Sequence, residues 1–432
     1  MADTLLFFGT TSNGSTTIWR STSSGFTPIS NSSHDVVNEP PNPSYAPPPY
    51  LLFAQNHIYA QSGSGNLLVW DTSNWTSALY GSDGLNPQGF AAYGDLVYFN
   101  GSWLPGLEGP VQDLFSTNGA ELSQITNTGL NPCSLAVAFG KLFFSGYNGS
   151  NNVLYAYDGS TVEQVGVDVV NPQYLTVSVA GPEFATEFPP PTHLVPGPRL
   201  FMSGQDFDGG PTWLYRYDGS TLTKIAPTTA DHSDGLQPYN LAGLVWIGET
   251  EIGATEAAPW QSALFFSGVN ANTKTGLWMF DGTTAREITT PAPSGGDHNS
   301  SVYPFNITGF EGKGTLYFTA YDIYIGSSPS QRGLFMYDPV ENHVSEIIKS
   351  STAKLDPQFN TDWENPPFFN QTTMTVFNND LYFSAKAGSG AESVPNLWRA
   401  NLNSQGDAAN PGHVYVEGDP GLQPFSLTTA DL

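Results

Sequence analysis

The sequence contains few positively charged residues. Lys and Arg number 13 against 39 Asp and Glu, which gives a formal net charge of −26 over 432 residues. Since phosphate contacts require cations, this scarcity argues against binding to nucleic acids or to anionic membranes. Charged residues are only 12% of the chain while aromatic residues reach 13%, a balance that excludes an intrinsically disordered protein.

Cysteine and long apolar runs are also scarce. The single cysteine, Cys133, excludes an intramolecular disulfide, and its neighbours predict the start of a buried strand. No apolar stretch approaches the roughly 20 residues of a transmembrane helix. No basic, signal-like region precedes the first apolar residues, so we expect no secretory signal peptide there. A surface with many Asn, Ser and Thr and few Lys is typical of extracellular proteins, and we expect an extracellular or cell-surface location.

The chain is instead rich in residues that favour strands and turns. It has 45 Gly and 34 Pro, together with 27 Phe and 20 Tyr. Aromatic residues favour strands, whereas Gly and Pro favour the turns between them. This composition predicts an all-β protein.

A short apolar segment recurs eight times at intervals averaging about 54 residues. Its copies begin at Leu6, Ile58, Val97, Leu142, Leu200, Leu264, Leu316 and Leu381. A second segment follows each copy, and the clearest examples end in Asp-Gly, a strong signal for a β-hairpin. A third short strand follows that turn, and a segment led by proline precedes the next copy. Each repeat therefore predicts four strands and no helix.

Repeated four-stranded units favour one architecture, the β-propeller, in which four to eight such blades surround an axis. We therefore predict an eight-bladed β-propeller with four antiparallel strands per blade. The sequence begins in the apolar strand and ends in a proline-led segment, Leu422 to Thr428. We expect this C-terminal strand to complete the first blade, so that residues 1–432 form a single closed domain.

The best repeats resemble a known family. Residues 140–146 (GKLFFSG), 153–160 (VLYAYDGS) and 171–176 (NPQYLT) are similar to the ELWxxDGT repeat of bacterial β-propeller proteins. Residues 276–283 (GLWMFDGT) give the best match, although the leading Glu of the family is absent. The resemblance covers the whole chain, most strongly in the middle repeats. It implies a propeller blade and a secreted or surface location, and it implies no reaction.

Motifs for common cofactors are absent from the sequence. We find no phosphate-binding loop, no dinucleotide fingerprint, no nucleophile elbow and no zinc-binding pair. The Trp-docking motifs of quinone-dependent propeller dehydrogenases are also missing. We therefore expect no quinone, nucleotide or haem.

Two His-Asp pairs form the first candidate for a binding site. Asp231 with His232, and Asp297 with His298, precede the proline-led strands of two successive repeats. In a propeller these linkers lie on one face, around the mouth of the channel. Imidazole and carboxylate groups suit a divalent cation or a general base. The alternative is that these residues cap turns and solvate the surface.

A calcium site is the second candidate. Asp206 and Asp208 are two residues apart and are followed by glycine, as at the start of an oxygen-ligand calcium loop, and Asp234 lies in the linker that follows. The terminal glutamate of the complete loop is missing. Calcium is thus the cofactor that this pattern predicts, with a plain turn as the alternative.

Aromatic residues in long connections form the third candidate. Trp103, Tyr321, Tyr324 and Trp363 interrupt otherwise regular repeats beside Asn and Asp. Exposed aromatic faces with nearby polar groups orient sugars by stacking and hydrogen bonding. The alternative is that these side chains pack over the rim of the barrel.

Two functions fit these candidates. The first is a non-catalytic, secreted or surface-associated protein that binds a glycan or another extracellular ligand through loops on one propeller face. The second is a polysaccharide lyase or glycoside hydrolase with acid and base residues at the channel mouth. Near-equivalent repeats without a catalytic signature favour the first, while unequal loop lengths favour the second.

Overall fold

The computed structural model describes most of the chain. The described ranges are 4–10, 16–23, 25–29, 51–62, 65–73, 76–80, 84–103, 111–166, 169–178, 198–227, 235–247, 260–271, 275–288, 304–310, 314–321, 332–349, 355–357, 374–387, 395–402, 408–413 and 423–430. All regular structure in these ranges is β-strand, as the composition predicted. None of these residues forms a helix long and apolar enough to cross a membrane.

The described strands follow the repeats of the sequence. In chain order they are β1 (Thr4–Thr10), β2 (Thr16–Thr22), β3 (Gly25–Pro28), β4 (Leu51–Ala54), β5 (His57–Gln61), β6 (Leu67–Asp71), β7 (Thr76–Tyr80), β8 (Gln88–Tyr93), β9 (Leu96–Trp103), β10 (Val111–Thr117), β11 (Leu122–Gln124), β12 (Cys133–Ala138), β13 (Lys141–Tyr147), β14 (Asn152–Tyr157), β15 (Val162–Gln164), β16 (Val170–Ser178), β17 (Arg199–Gln205), β18 (Thr212–Tyr217), β19 (Leu222–Ile225), β20 (Tyr239–Ile247), β21 (Trp260–Val269), β22 (Thr275–Phe280), β23 (Ala285–Glu287), β24 (Pro304–Phe310), β25 (Thr315–Tyr321), β26 (Arg332–Asp338), β27 (His343–Lys349), β28 (Leu355–Pro357), β29 (Met374–Phe377), β30 (Asp380–Ala387), β31 (Pro395–Leu402), β32 (Ala408–His413) and β33 (Gln423–Ala430).

We number the repeats from 1 to 8 by their strands: β1–β3, β4–β7, β8–β11, β12–β15, β16–β19, β20–β23, β24–β27 and β28–β32. In repeats 2 to 7, the four strands pair in chain order, and every pair is antiparallel. In repeat 8, β30 pairs with both β29 and β31. In repeat 1, β1 pairs with β2 and with β33, which places Thr4 opposite Ala430.

The chain divides into two compact units by its internal contacts. Unit 1 contains residues 1–165, 358–401 and 410–432, and unit 2 contains residues 166–357 and 402–409. The prediction of a single domain stays a prediction.

Apolar residues between neighbouring sheets form the core of each unit. In unit 1, one cluster joins the sheets of repeats 2 and 3 through Tyr59, Val69, Phe90 and Phe99. In unit 2, an equivalent cluster joins repeats 6 and 7. The strand that carries the Leu-Phe-Phe segment is buried over nearly its whole length, as in β13. Because both faces of such a strand are covered, it is continuously apolar and does not alternate with polar residues.

The Asp-Gly segments form the predicted hairpins. The Oδ1 atom of Asp218 accepts hydrogen bonds from the backbone N–H groups of Ser220 (2.9 Å) and Thr221 (2.8 Å). These bonds are the largest cause of the lowered pKa of the Asp218 carboxyl. Asp158 and Asp281 bind their own loops in the same way. The aspartate of this motif therefore holds a turn, as its local pattern indicates.

Several proline-led strands contain a bulge close to their start, including β12 and β16. Asn171 has a φ of 53° and Tyr174 a φ of 54°, the left-handed region that bulky residues rarely adopt. The register with β17 shifts on either side of Gln173. Asn131 and Ser134 repeat the pattern in repeat 4. The bulge turns the start of the strand, so that polar side chains before and after the proline meet the end of the next strand.

Candidate functional site

The loop that joins β17 to β18 presents the most exposed large hydrophobic side chain of the described residues. We call residues 205–212 the Phe207 loop. The side chain of Phe207 is 61% exposed to solvent. A backbone hydrogen bond from the N–H of Gly210 to the carbonyl oxygen of Phe207 (2.9 Å) closes a tight turn, and Gly209 takes a φ of 75° in it. The turn therefore holds an aromatic ring at the surface.

Polar groups next to this ring form a connected set. The Nδ2 atom of Asn171 donates to Oε1 of Gln205 (2.9 Å) and to Oδ1 of Asp208 (3.1 Å). The bulge of β16 places Asn171 there, because Val170 lies opposite Gln205 in the sheet. An exposed ring beside amide and carboxylate groups is the arrangement that stacks on a sugar and orients its hydroxyls.

A second set of contacts fixes the start of the loop. The Nζ atom of Lys224 lies 2.7 Å from Oδ2 of Asp206, and the hydroxyl of Tyr215 donates to Oδ1. Both contacts lower the pKa of the Asp206 carboxyl, the lysine bond most. Nζ of Lys224 also lies 5.0 Å from the centroid of the Trp213 ring, a cation–π distance. Asp206 thus has a cationic partner within the protein.

These contacts bear on the predicted calcium site. Asp206 is engaged by Lys224, and Asp208 by Asn171. Within the described ranges, no group of three or more His, Cys, Asp or Glu side chains is placed to hold a metal ion. Asp234 lies outside the described residues. Calcium binding stays a prediction.

Most of the other predicted ligand-binding residues lie outside the described residues. These are Asp231, His232, Asp297, His298, Tyr324 and Trp363. Trp103 and Tyr321 are the last residues of β9 and β25, where their backbones pair with Val111 and Arg332, but their side chains are not described.

One described carboxyl has a raised pKa. Glu287 in β23 is desolvated by burial, which raises the pKa of its carboxyl, and two bonds from Nδ2 of Asn270 (3.1 and 3.2 Å) oppose that shift. An acid held protonated above its usual range suits a general acid. A glycosidase requires a pair of carboxyls on either side of the scissile bond.

Phe207 and Asn171 were missed by the sequence patterns. In the segment Gln205–Gly210, the two aspartates give the calcium pattern, but an aromatic residue between two polar ones in a predicted turn is itself a signal. The sequence pattern places Asn171 only at the start of a strand. Its proximity to Asp208 depends on strand register, which the motif does not contain.

No protein-family model matches this sequence, and no curated protein matches it. Among solved structures, the β-propeller domain of the Trilobed protease from Pyrococcus furiosus matches with a TM-score of 0.42 and 11% identity, covering 86% of this chain and 94% of that one. The GH74 xyloglucanase from Xanthomonas campestris gives a TM-score of 0.42 and 14% identity, over 87% of this chain and 53% of that one. An oligogalacturonate lyase from Vibrio parahaemolyticus gives a TM-score of 0.42 and 9% identity, and the match covers 92% of this chain and 86% of that one.

Proposed function

We propose that the chain is an eight-bladed β-propeller that binds carbohydrate without catalysis. The antiparallel pairing of four successive strands in each of repeats 2 to 7 supports the blade architecture. The pairing of β33 with β1 supports completion of the first blade by the C-terminal strand. The composition supports an extracellular or cell-surface location, where glycans are the abundant ligands.

The observation that carries the binding function is the exposed ring of Phe207 beside Asn171 and Asp208. A ring that is 61% exposed contributes little to the core, since it leaves most of its apolar surface in water. A backbone hydrogen bond closes its turn, and Asn171 binds Asp208 in the same loop, which supports a preset loop conformation. Such pre-organisation lowers the entropic cost of binding.

A glycan array followed by isothermal titration calorimetry tests this function. We expect Phe207→Ala to weaken the binding of the tightest glycan about fivefold, since an aromatic stacking contact contributes roughly 1 kcal/mol. Val340→Ala is the matched control, because Val340 is an exposed apolar residue (38%) in another turn of unit 2. Equal affinities for wild type and Phe207→Ala would exclude this loop as the binding site.

An assay for new reducing ends and for unsaturated products addresses the alternative, a polysaccharide lyase or glycoside hydrolase. We expect glycans that bind the protein to be recovered intact. Turnover of a bound glycan would overturn the non-catalytic function. The candidate acid and base residues would then be Asp231, His232, Asp297 and His298.

A further inference from the structure

Asparagine followed directly by glycine occurs four times in the sequence. The pairs are Asn13-Gly14, Asn100-Gly101, Asn118-Gly119 and Asn148-Gly149. Such a pair is chemically labile, because glycine has no side chain to hinder attack of its backbone nitrogen on the amide carbon of the asparagine before it. Asn13 and Gly14 lie outside the described residues, and the structure distinguishes the other three pairs.

Asn148 and Gly149 lie in the loop that joins β13 to β14, and both are exposed to solvent. The Oδ1 atom of Asn148 accepts hydrogen bonds from the backbone N–H groups of Ser150 (3.0 Å) and Asn151 (3.0 Å). These bonds fold the side-chain amide back over the turn, beside the backbone nitrogen of Gly149. The two groups that react are therefore held close together in contact with water.

The two bonds to Oδ1 of Asn148 also favour the reaction electrostatically. When a nitrogen attacks the Cγ atom, this oxygen gains negative charge in the tetrahedral intermediate. Backbone N–H groups that already point at such an oxygen stabilise the charge, as in the oxyanion hole of an enzyme. The N–H groups of Ser150 and Asn151 occupy that position before the reaction begins.

Asn118 has matching side-chain contacts, but its glycine is held differently. The Oδ1 atom of Asn118 accepts bonds from the backbone N–H groups two and three residues later (2.9 and 2.8 Å). The backbone N–H of Gly119, however, donates to Oγ1 of Thr117 (3.0 Å), and Gly119 is buried. A Cβ atom on Gly119 would lie 3.1 Å from the ring of His57, so this glycine is packed against the imidazole. The attacking nitrogen of this pair is thus both bonded and confined.

The residue before each asparagine accounts for this difference. Thr117 carries its hydroxyl on Cβ, within reach of the N–H group two residues later. Tyr147 precedes Asn148, and its hydroxyl lies at the far end of a ring that is 45% exposed. A tyrosine therefore cannot hold the N–H of Gly149 as Thr117 holds that of Gly119.

Asn100 is protected by the sheet. Its strand, β9, pairs with both β8 and β10, and Asn100 is only 2% exposed. Attack by the backbone nitrogen of Gly101 requires local opening of this sheet, and that opening costs free energy that an exposed loop does not require. The labile pair of this strand is therefore expected to persist for as long as the protein is folded.

We propose that Asn148 is a site of spontaneous deamidation in the folded protein, selected over Asn118 by the residue that precedes each asparagine. The backbone nitrogen of Gly149 gives up its proton and forms a bond to Cγ of Asn148. The bond from Cγ to Nδ2 breaks, and Nδ2 leaves as ammonia after taking up a proton. Water then opens the resulting succinimide ring at either carbonyl, which leaves aspartate or isoaspartate at position 148. This modification is independent of the proposed binding function.

The two products affect the turn differently. Asp158 shows an aspartate in the same role, because its Oδ1 atom accepts bonds from the backbone N–H groups of Ser160 and Thr161 (both 2.8 Å). Aspartate at position 148 therefore keeps the turn and adds a negative charge to the loop. Isoaspartate lengthens the main chain by a carbon atom and disturbs the turn.

Mass spectrometry of the aged full-length protein tests the proposal. Folded protein would be kept at pH 6 and pH 8, sampled over time and digested briefly with chymotrypsin, and the loss of amide would be measured at Asn100, Asn118 and Asn148. Enzymatic methylation would identify isoaspartate. We expect Asn148 to react at least about fivefold faster than Asn118, since a hydrogen bond of Gly119 must break first. The rate is expected to be higher at pH 8, because the attacking nitrogen must lose its proton.

The unfolded chain and two variants serve as controls. In guanidinium chloride the three asparagines are expected to react at similar rates, because only their sequence contexts then differ. In folded protein, Tyr147→Thr is expected to slow the reaction at Asn148, and Thr117→Val is expected to speed it at Asn118. Equal rates at Asn148 and Asn118 in the folded wild type would overturn the proposal, as would an intact Asn148 under conditions in which the unfolded chain reacts. An unchanged rate at Asn148 in Tyr147→Thr, a change at an exposed position, would overturn it independently of whether Thr117→Val folds.

Discussion

Removing the side chain of Leu427 is expected to destabilise unit 1. This residue of β33 is 2% exposed and packs in a cluster with Leu5, Phe7, Trp19 and Leu397. The cluster therefore joins β33 to both repeat 1 and repeat 8. Truncation of a buried leucine removes its transfer free energy and leaves a cavity, and Leu427→Ala is expected to cost about 3 kcal/mol.

The size of the chain sets the expected change in melting temperature. With an unfolding entropy of roughly 2.1 cal/mol/K per residue, a loss of about 3 kcal/mol lowers Tm by about 3 °C if the whole chain unfolds together. The shift is about twice as large if unit 1, roughly half of the chain, unfolds alone. Differential scanning calorimetry measures both the shift and the number of transitions.

Two further variants are compared with Leu427→Ala. Val340→Ala removes apolar atoms from an exposed position and is expected to change Tm by less than about 1 °C. Deletion of residues 422–432 removes β33 entirely, exposes the edge of β1 and is expected to cost more than Leu427→Ala. A deletion variant that melts like the wild type would refute the assignment of β33 to the first blade.

Four other predictions follow from single contacts. Glu287→Gln is expected to raise Tm at pH 7 but not near pH 4.5. Burial raises the folded pKa of the Glu287 carboxyl above its ordinary value of 4.5, so the wild type loses stability as pH rises through that folded pKa. Melting curves from pH 4 to 8, with Glu341→Gln as the control, measure this pH dependence. Asp218→Ala should lower the free energy of unfolding by about 1 kcal/mol at neutral pH, because two hydrogen bonds from backbone N–H groups are lost. The folded pKa of the Asp218 carboxyl is lowered, so its contribution to wild-type stability should fall as pH drops below the ordinary pKa of 3.8, and urea titrations at pH 7 and pH 3 would show both effects. Lys224→Gln should cost less than about 1 kcal/mol, since its ion pair with Asp206 is 41% exposed on both sides, and a loss above about 2 kcal/mol in urea melts would contradict that solvent-screened pair. Calcium is predicted to raise Tm through Asp206, Asp208 and Asp234, and superimposable melting curves in chelator and in excess calcium would exclude the site.

The local structure of this protein could be predicted from its sequence. Aromatic and aliphatic segments closed by small polar residues indicate strands whatever their partners are, and the predicted Leu142 segment lies within β13. The Asp-Gly motif at Asp218 forms a turn because the carboxylate and the N–H groups it binds lie within three residues of one another. Such interactions are contained in a short window of sequence, so pattern alone is sufficient.

The contacts of the candidate sites depended on tertiary structure. Lys224 neutralises Asp206 across 18 residues, because β18 pairs with both β17 and β19. Asn171 reaches Asp208 across 37 residues, because the bulge and register of β16 bring these strand ends together. The sequence therefore determined the strands and their turns, and packing between strands decided which polar groups meet at the candidate site.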